Sequence, residues 1–266
     1  MQKALIIALL LTGCASEALS DELKMGGTGS GLMLLEKLGA TCTQGFETRF
    51  VVIPNLGGAG GVRAVSDRVL DVSILGRPLK PEEVAKGLTE AASIRTPFVF
   101  ITSHSRPNGL NSADVASMYG SGTPTWADGT PLLIIMRPKG DSDTAILERH
   151  FPGIAAALDK ASRRREVPTA ATDQDNADMV ERIPGSLSGA SYTQVKVENR
   201  NVRFVPIDGV EPTLENFERG VYRYGRTLHF IVPTPPSPAA QRFIACVRSP
   251  VGVQALRDTG NLLNPE

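Results

Sequence analysis

Three glycine- and hydroxyl-rich segments and one arginine could together bind an anion. The segments are residues 26–31, 57–61 and 140–144, and each lies between a predicted strand and a predicted helix. The first turn of a helix attracts anions, because it carries unpaired N–H groups and the positive end of the helix dipole. Glycine has no side chain that would hold an anion away. Arg137 adds a guanidinium, which can bind an oxyanion through two parallel hydrogen bonds.

Each of these signals has a simpler alternative when it is taken alone. A single glycine-rich turn is more often only a turn, and a single arginine more often pairs with a surface carboxylate. The segment GGTGSG matches neither the full dinucleotide fingerprint nor a phosphate loop, since GK[ST] occurs nowhere in the chain. Arg77 is a second candidate cation, and its alternative is a salt bridge with Asp71 or Glu82. Three such segments and Arg137 in one chain favour an anion site.

Composition and motifs argue against several other functions. Lys plus Arg equals Asp plus Glu at 28 each, so the chain lacks the net positive charge that general nucleic-acid binding requires. The three histidines are scattered, and neither G-x-S-x-G nor H-E-x-x-H occurs, which argues against an enzyme. No CxxC or Cys/His spacing indicates a metal site, and we expect no cofactor.

The elements that would position these residues alternate between strand and helix. Residues 22–75 read as β-α-β-α-β, the pattern of a parallel sheet covered by helices. Residues 81–88 predict a short helix that begins with proline and two acids. The apolar runs TPFVFITS (96–103) and TLHFIVP (227–233) predict strands that pass between two lobes.

The first residues are typical of an export signal. Lys3 is followed by the short apolar run 4–11 and then by LTGC, which resembles a lipobox and predicts lipidation of Cys14. Cleavage by an ordinary signal peptidase slightly later is the alternative. Export implies an oxidising compartment, where Cys42 and Cys246 either form a disulfide or remain two buried thiols.

The order of motifs resembles the phosphate-binding solute receptors of ABC uptake systems, which have the type II periplasmic binding-protein fold. The resemblance covers most of the chain after the signal. Its motifs are LGGAGGVRAVSDRVLDVSILGRPLKPEE, TPFVFITS, SADVASMYGSGTPTWADGTPL, RPKGDSDT, MVERIPGSLSGAS and FIACVRSPVG. The fifth motif, MVERIPGSLSGAS, resembles the family's Pro-Gly-x-x-Gly element but has one extra residue before the second glycine.

The resemblance implies two α/β lobes, each a mixed and mostly parallel sheet flanked by helices, with two crossing strands as the hinge. Residues 1–22 would be signal and tether, 23–98 with 229–266 the first lobe, and 99–228 the second. A small oxyanion, phosphate first, would bind in the cleft of a monomer that delivers it to an ABC permease. The alternative is a receptor-like lipoprotein that acts as a sensor or interaction protein, or that binds another anion.

The family's ligand residues carry over only in part. The candidates are Gly29, Ser30, Gly58, Ala59, Gly60, Arg77, Arg137, Asp141, Ser142, Asp143 and Thr144. Ser30 and Arg137 match the family, whereas the hydroxyl of the second loop is replaced by Gly58 or Ala59, and a carboxylate by Gly76. Asp141 or Asp143 would either supply the missing carboxylate from the facing lobe or cap their own helix.

Overall fold

The computed structural model describes residues 22–44 and 48–265. The predicted signal, most of the predicted tether and Cys14 therefore lie outside the described residues. The strands are β1 (Glu22–Gly27), β2 (Arg49–Ile53), β3 (Val72–Leu75), β4 (Leu88–Thr102), β5 (Leu133–Ile134), β6 (Ser186–Ser191), β7 (Arg203–Val205), β8 (Gly225–Pro233) and β9 (Leu262–Leu263). The helices are α1 (Gly29–Cys42), α2 (Gly57–Ser66), α3 (Pro81–Val84), α4 (Val115–Gly120), α5 (Ser142–His150), α6 (Ile154–Ser162), α7 (Asp173–Arg182), α8 (Tyr192–Val197), α9 (Leu214–Glu218), α10 (Pro238–Arg248) and α11 (Pro250–Asp258).

The strands form a mixed sheet with the order β2-β1-β3-β8-β4-β6-β5. The β1–β2, β1–β3 and β5–β6 pairs are parallel, whereas β8 is antiparallel to both β3 and β4. Helices such as α1 pack their apolar residues, Leu34, Leu35 and Leu38, against this framework. The predicted α/β fold is confirmed, including the β-α-β-α-β order at the start.

The long strand β4 links two parts of the sheet. Its first part, up to Pro97, pairs with β8, and from Phe98 onwards it pairs with β6 and β7. Pro97 has no N–H to donate, and it lies where the pairing partner changes. The sequence prediction began this strand at residue 96, whereas the structure begins it at Leu88.

The hydrophobic core is divided in the same way. One cluster surrounds β1, β3 and the first part of β4 and includes Leu34, Ile74 and Phe230. Another surrounds the second part of β4 and includes Phe100 and Phe151. This division supports two lobes, but the boundaries predicted from sequence stay a prediction. Among the described residues, no helix has both the length and the apolar character needed to cross a membrane.

Cys42 and Cys246 are joined by a disulfide, with Cα atoms 5.6 Å apart. It links the last residue of α1 to α10 across a sequence separation of 204 residues. Of the two alternatives left open by the sequence, the structure contains the bridge rather than two free thiols.

Candidate anion-binding cleft

Two adjoining cavities lie where the predicted loops meet. The small cavity, of about 220 Å³, is lined by the starts of α1 and α2, by Arg137 and by the start of α7. The large cavity, of about 610 Å³, is lined by residues that follow β3, by one side of α5 and by β8. Thr28, Gly58 and Asp141 line both cavities. The loops predicted from sequence are therefore brought together around one continuous region.

The starts of α1 and α2 are not capped by their own side chains. Neither Thr28, the N-cap of α1, nor Leu56, the N-cap of α2, makes a side-chain cap hydrogen bond. Gly27 sets the approach of β1 to α1 with φ of 134°, and a Cβ there would lie 2.1 Å from the Ile74 carbonyl oxygen. Only glycine fits this position. N–H groups at these two helix starts are thus left to meet other partners.

Arg137 is buried at the small cavity and is surrounded by carboxylates. Its guanidinium donates to the Ala170 carbonyl and to Asp141 Oδ2, both at 2.9 Å. Asp173 lies 3.6 Å away and Asp143 3.9 Å away. Burial alone would lower the pKa of Arg137, but Asp173, Asp141 and Asp143 together raise it above its ordinary value. The arginine is therefore charged and held in place by three acids.

Asp173 is a site residue that the sequence reasoning missed. It is the first residue of α7, and its Oδ2 accepts a hydrogen bond from the backbone N–H of Ser30 at 2.9 Å. A carboxylate of one element thus binds the first turn of α1, next to Arg137. The capping box of Thr172 and Asp175 indicates a helix start here, but no sequence signal places that start beside α1.

Asp143 and Arg226 form a second charged pair behind the large cavity. Arg226 donates to Asp143 Oδ1 and to Ser142 Oγ, each at 2.8 Å. Burial raises the pKa of Asp143 above its ordinary value, although the guanidinium of Arg226 opposes this rise. Arg226, at the start of β8, was also missed by the sequence reasoning. Its contact to Ser142 ties β8 to the start of α5.

The other predicted residues occupy different positions around the cavities. Gly29 lines the small cavity, whereas Ala59, Ser142 and Arg77 line the large one. Ser30 is buried, and its hydroxyl has no hydrogen-bond partner among the described residues. Thr144 donates to the Pro138 carbonyl at 3.2 Å instead of lining a cavity, and Gly60 is not among the lining residues of either.

Asp141 caps α5 and also lines both cavities. Its Oδ1 accepts from the Asp143 N–H, and its Oδ2 accepts from Arg137, each at 2.9 Å. The two alternatives proposed for this residue are therefore not exclusive, because one oxygen serves the cap while the other faces the guanidinium.

Arg77 is engaged by a carboxylate, but not by either of the partners named from sequence. Two hydrogen bonds, of 2.8 and 2.6 Å, join it to Glu83. Glu83 is placed there because it also accepts from the Lys80 N–H at the start of α3. Asp71 instead accepts from the Lys24 N–H. The hydrogen bond from Arg77 lowers the pKa of Glu83 to about 2.

The sequence matches the model of the PBP superfamily domain over residues 12–250. The chain belongs to the PBP superfamily. No curated protein is significantly similar to this PBP-superfamily chain in sequence.

Solved structures with the same fold include receptors for different anions. A protein from Clostridium perfringens, described as a phosphate ABC transporter substrate-binding protein with bound phosphate, is 18% identical, with 92% of this chain and 100% of that chain covered and a TM-score of 0.76. An ABC-type phosphate transport receptor from Vibrio cholerae is 14% identical, with 92% and 100% covered and a TM-score of 0.61. The periplasmic molybdate-binding protein of Azotobacter vinelandii is 14% identical, with 91% and 100% covered and a TM-score of 0.57.

Proposed function

We propose that this chain is an exported receptor that binds a small oxyanion, with phosphate the leading candidate, and delivers it to an ABC permease. It would act as a binding protein rather than an enzyme. The observation that carries the proposal is the convergence of buried Arg137 and of two helix starts, neither capped by its own N-cap side chain, on one cavity of about 220 Å³. This arrangement supplies backbone donors and a cation to the same small volume.

The carboxylates of the small cavity favour phosphate over sulfate. Asp141 and Asp173 line it beside Arg137. An ionised carboxylate only accepts hydrogen bonds. It can accept one from the P–OH group of hydrogen phosphate, but it repels sulfate, which has no hydrogen to donate. The Clostridium and Vibrio neighbours are described as phosphate proteins, which agrees with this choice.

Export and anchoring belong to the same proposal. The apolar run 4–11 and the segment LTGC predict transfer across a bacterial membrane and lipidation of Cys14. The receptor would then remain on the membrane surface or in the periplasm through its lipid anchor, close to a permease. Hinge motion about β4 and β8, between lobes 23–98 with 229–266 and 99–228, would open and close the cleft.

The test is anion binding by the chain without its signal, measured by calorimetry and thermal shift at matched ionic strength. We expect phosphate to bind, and at 100 times its Kd to add about 2.7 kcal/mol to the free energy of unfolding. Stability unchanged by phosphate, sulfate and molybdate, each at millimolar concentration, would contradict the proposal and favour a sensor or interaction protein.

A substitution at Gly58 tests whether the cleft is the binding site. A Cβ at this position meets only Leu75, at 3.9 Å, so a larger side chain would enter the cavities without disturbing the core. We expect Gly58→Val to weaken phosphate binding at least about tenfold, whereas Gly122→Val, where a Cβ meets nothing within 4 Å, leaves it unchanged. Arg137→Ala is less informative, because three acids would lose their cation at a cost of about 3–5 kcal/mol.

A further inference from the structure

The large cavity has a strongly cationic lining that the binding of a small oxyanion does not require. Arg77, Lys80, Arg149 and Arg226 line it, and among the described residues Asp141 is the one carboxylate in its lining. Its volume of about 610 Å³ is almost three times the 220 Å³ of the small cavity. A ligand that filled only the small cavity would leave this space and its charges unused.

Two of the four cations are already neutralised, and two are not. Arg77 pairs with Glu83, and Arg226 pairs with Asp143. Lys80 and Arg149 are exposed, and among residues 22–44 and 48–265 neither has a carboxylate within ion-pair distance. The available positive charge of the large cavity therefore lies on Lys80 and Arg149.

These two cations come from different elements of the cavity lining. Lys80 precedes α3, on the side of β3, whereas Arg149 lies in the last turn of α5, on the side of Arg137. Thr227, on β8, and Ser142 add hydroxyl groups to the same lining.

Because the small cavity adjoins the large one at Thr28, Gly58 and Asp141, one ligand can occupy both. Building on the proposed function, we infer that the preferred ligand is a phosphate compound that carries a second anionic group, as in a phosphate ester of a hydroxy acid. Its phosphate group binds between the helix starts and Arg137. The second anionic group lies in the large cavity and is bound by Lys80 and Arg149.

The experiment compares three probes by calorimetry on the chain without its signal: orthophosphate, ethyl phosphate and 2-phosphoglycolate. The last two have similar size and differ in the carboxylate. We expect 2-phosphoglycolate to bind at least about tenfold more tightly than either of the others. In Lys80→Ala/Arg149→Ala that advantage disappears, while the affinity for ethyl phosphate changes less than about twofold.

A control double variant, Lys86→Ala/Lys160→Ala, removes two exposed lysines outside the cavities and so makes the same change in net charge. It keeps the full advantage of 2-phosphoglycolate. Equal affinities for 2-phosphoglycolate and ethyl phosphate, or an advantage that survives in Lys80→Ala/Arg149→Ala, would overturn the inference alone. Failure of all three probes to bind would overturn the proposed function as well.

Discussion

Asp173 places a carboxylate where an incoming oxyanion would meet the first turn of α1. It accepts from the Ser30 N–H at 2.9 Å and lies 3.6 Å from Arg137, so it satisfies the two groups that would otherwise attract an anion most strongly. An oxyanion must either displace this carboxylate or donate a hydrogen bond to it through a proton of its own. We therefore expect the choice of ligand to depend on Asp173 as much as on Arg137.

Replacing Asp173 by asparagine should relax the discrimination against sulfate. The amide oxygen can still accept from the Ser30 N–H, but the negative charge beside the cavity is lost. We expect Asp173→Asn to strengthen sulfate binding at least about tenfold, with a smaller change for phosphate, as measured by calorimetry at constant ionic strength. Asp159→Asn, which alters an exposed pair with Arg163, is the matched control. Unchanged sulfate affinity in Asp173→Asn would show that this carboxylate does not select the ligand.

The sequence could indicate Arg137 but not the residues that surround it. Arg137 follows an apolar run and precedes a helix start, and this local pattern indicates an anion site. Asp173 and Arg226 reach the same region from positions 36 and 89 residues later, through tertiary contacts that no local spacing predicts. The partner of Arg77 was missed for a similar reason, since the capping geometry of α3 selects Glu83 over its neighbour Glu82.

Helix starts were the most predictable elements of the cleft. Glycine-rich segments after strands predicted the helices α1, α2 and α5, which the structure begins at Gly29, Gly57 and Ser142. The second segment, residues 57–61, was predicted to precede its helix but forms the first residues of α2. The sequence prediction did not separate α7, α8, β7 and α9. These elements are short or mostly polar, so their apolar periodicity is weak and tertiary packing decides their form.

The Arg77–Glu83 pair connects the end of β3 to α3 and should make stability depend on acid. The pKa of Glu83 is lowered from 4.5 to about 2, so the pair contributes stability that is present above pH 4.5 and lost as the pH falls towards 2. We expect Glu83→Gln to lower the free energy of unfolding by about 1 kcal/mol at pH 7, a modest value because solvent screens the partly exposed Arg77.

Urea unfolding between pH 7 and pH 3 measures this effect. The difference between the parent chain and Glu83→Gln should narrow as the pH falls, whereas Glu82→Gln, one position earlier on the same helix, should match the parent throughout. A difference that stays constant across this range would mean that the lost stability comes from packing and not from charge.

The disulfide should stabilise the whole molecule without taking part in binding. Cys42 ends α1 about 20 Å from its first turn, given a rise of 1.5 Å per residue. Since the bridge closes a separation of 204 residues, Cys42→Ala/Cys246→Ala should lose about 2–4 kcal/mol in chemical unfolding. Phosphate affinity at 25 °C should change less than about twofold. A large loss of affinity would instead couple the far end of α1 to the cleft.

The two sides of the cleft meet closely where Gly76 faces α5, and this contact offers a test of hinge closure. A Cβ at Gly76 would lie 2.9 Å from Ser142 Oγ and 3.3 Å from Arg226 Nη2, so glycine lets the end of β3 approach the start of α5. A bulky side chain at Gly76 should hold the two lobes apart.

We expect Gly76→Leu to weaken phosphate binding at least about tenfold. Small-angle X-ray scattering should show a larger radius of gyration than in the parent chain, and adding phosphate should no longer reduce that radius. Gly122→Leu, at an open position, should behave like the parent chain. Parent-like affinity and dimensions in Gly76→Leu would mean that binding does not require the two sides to meet at this point.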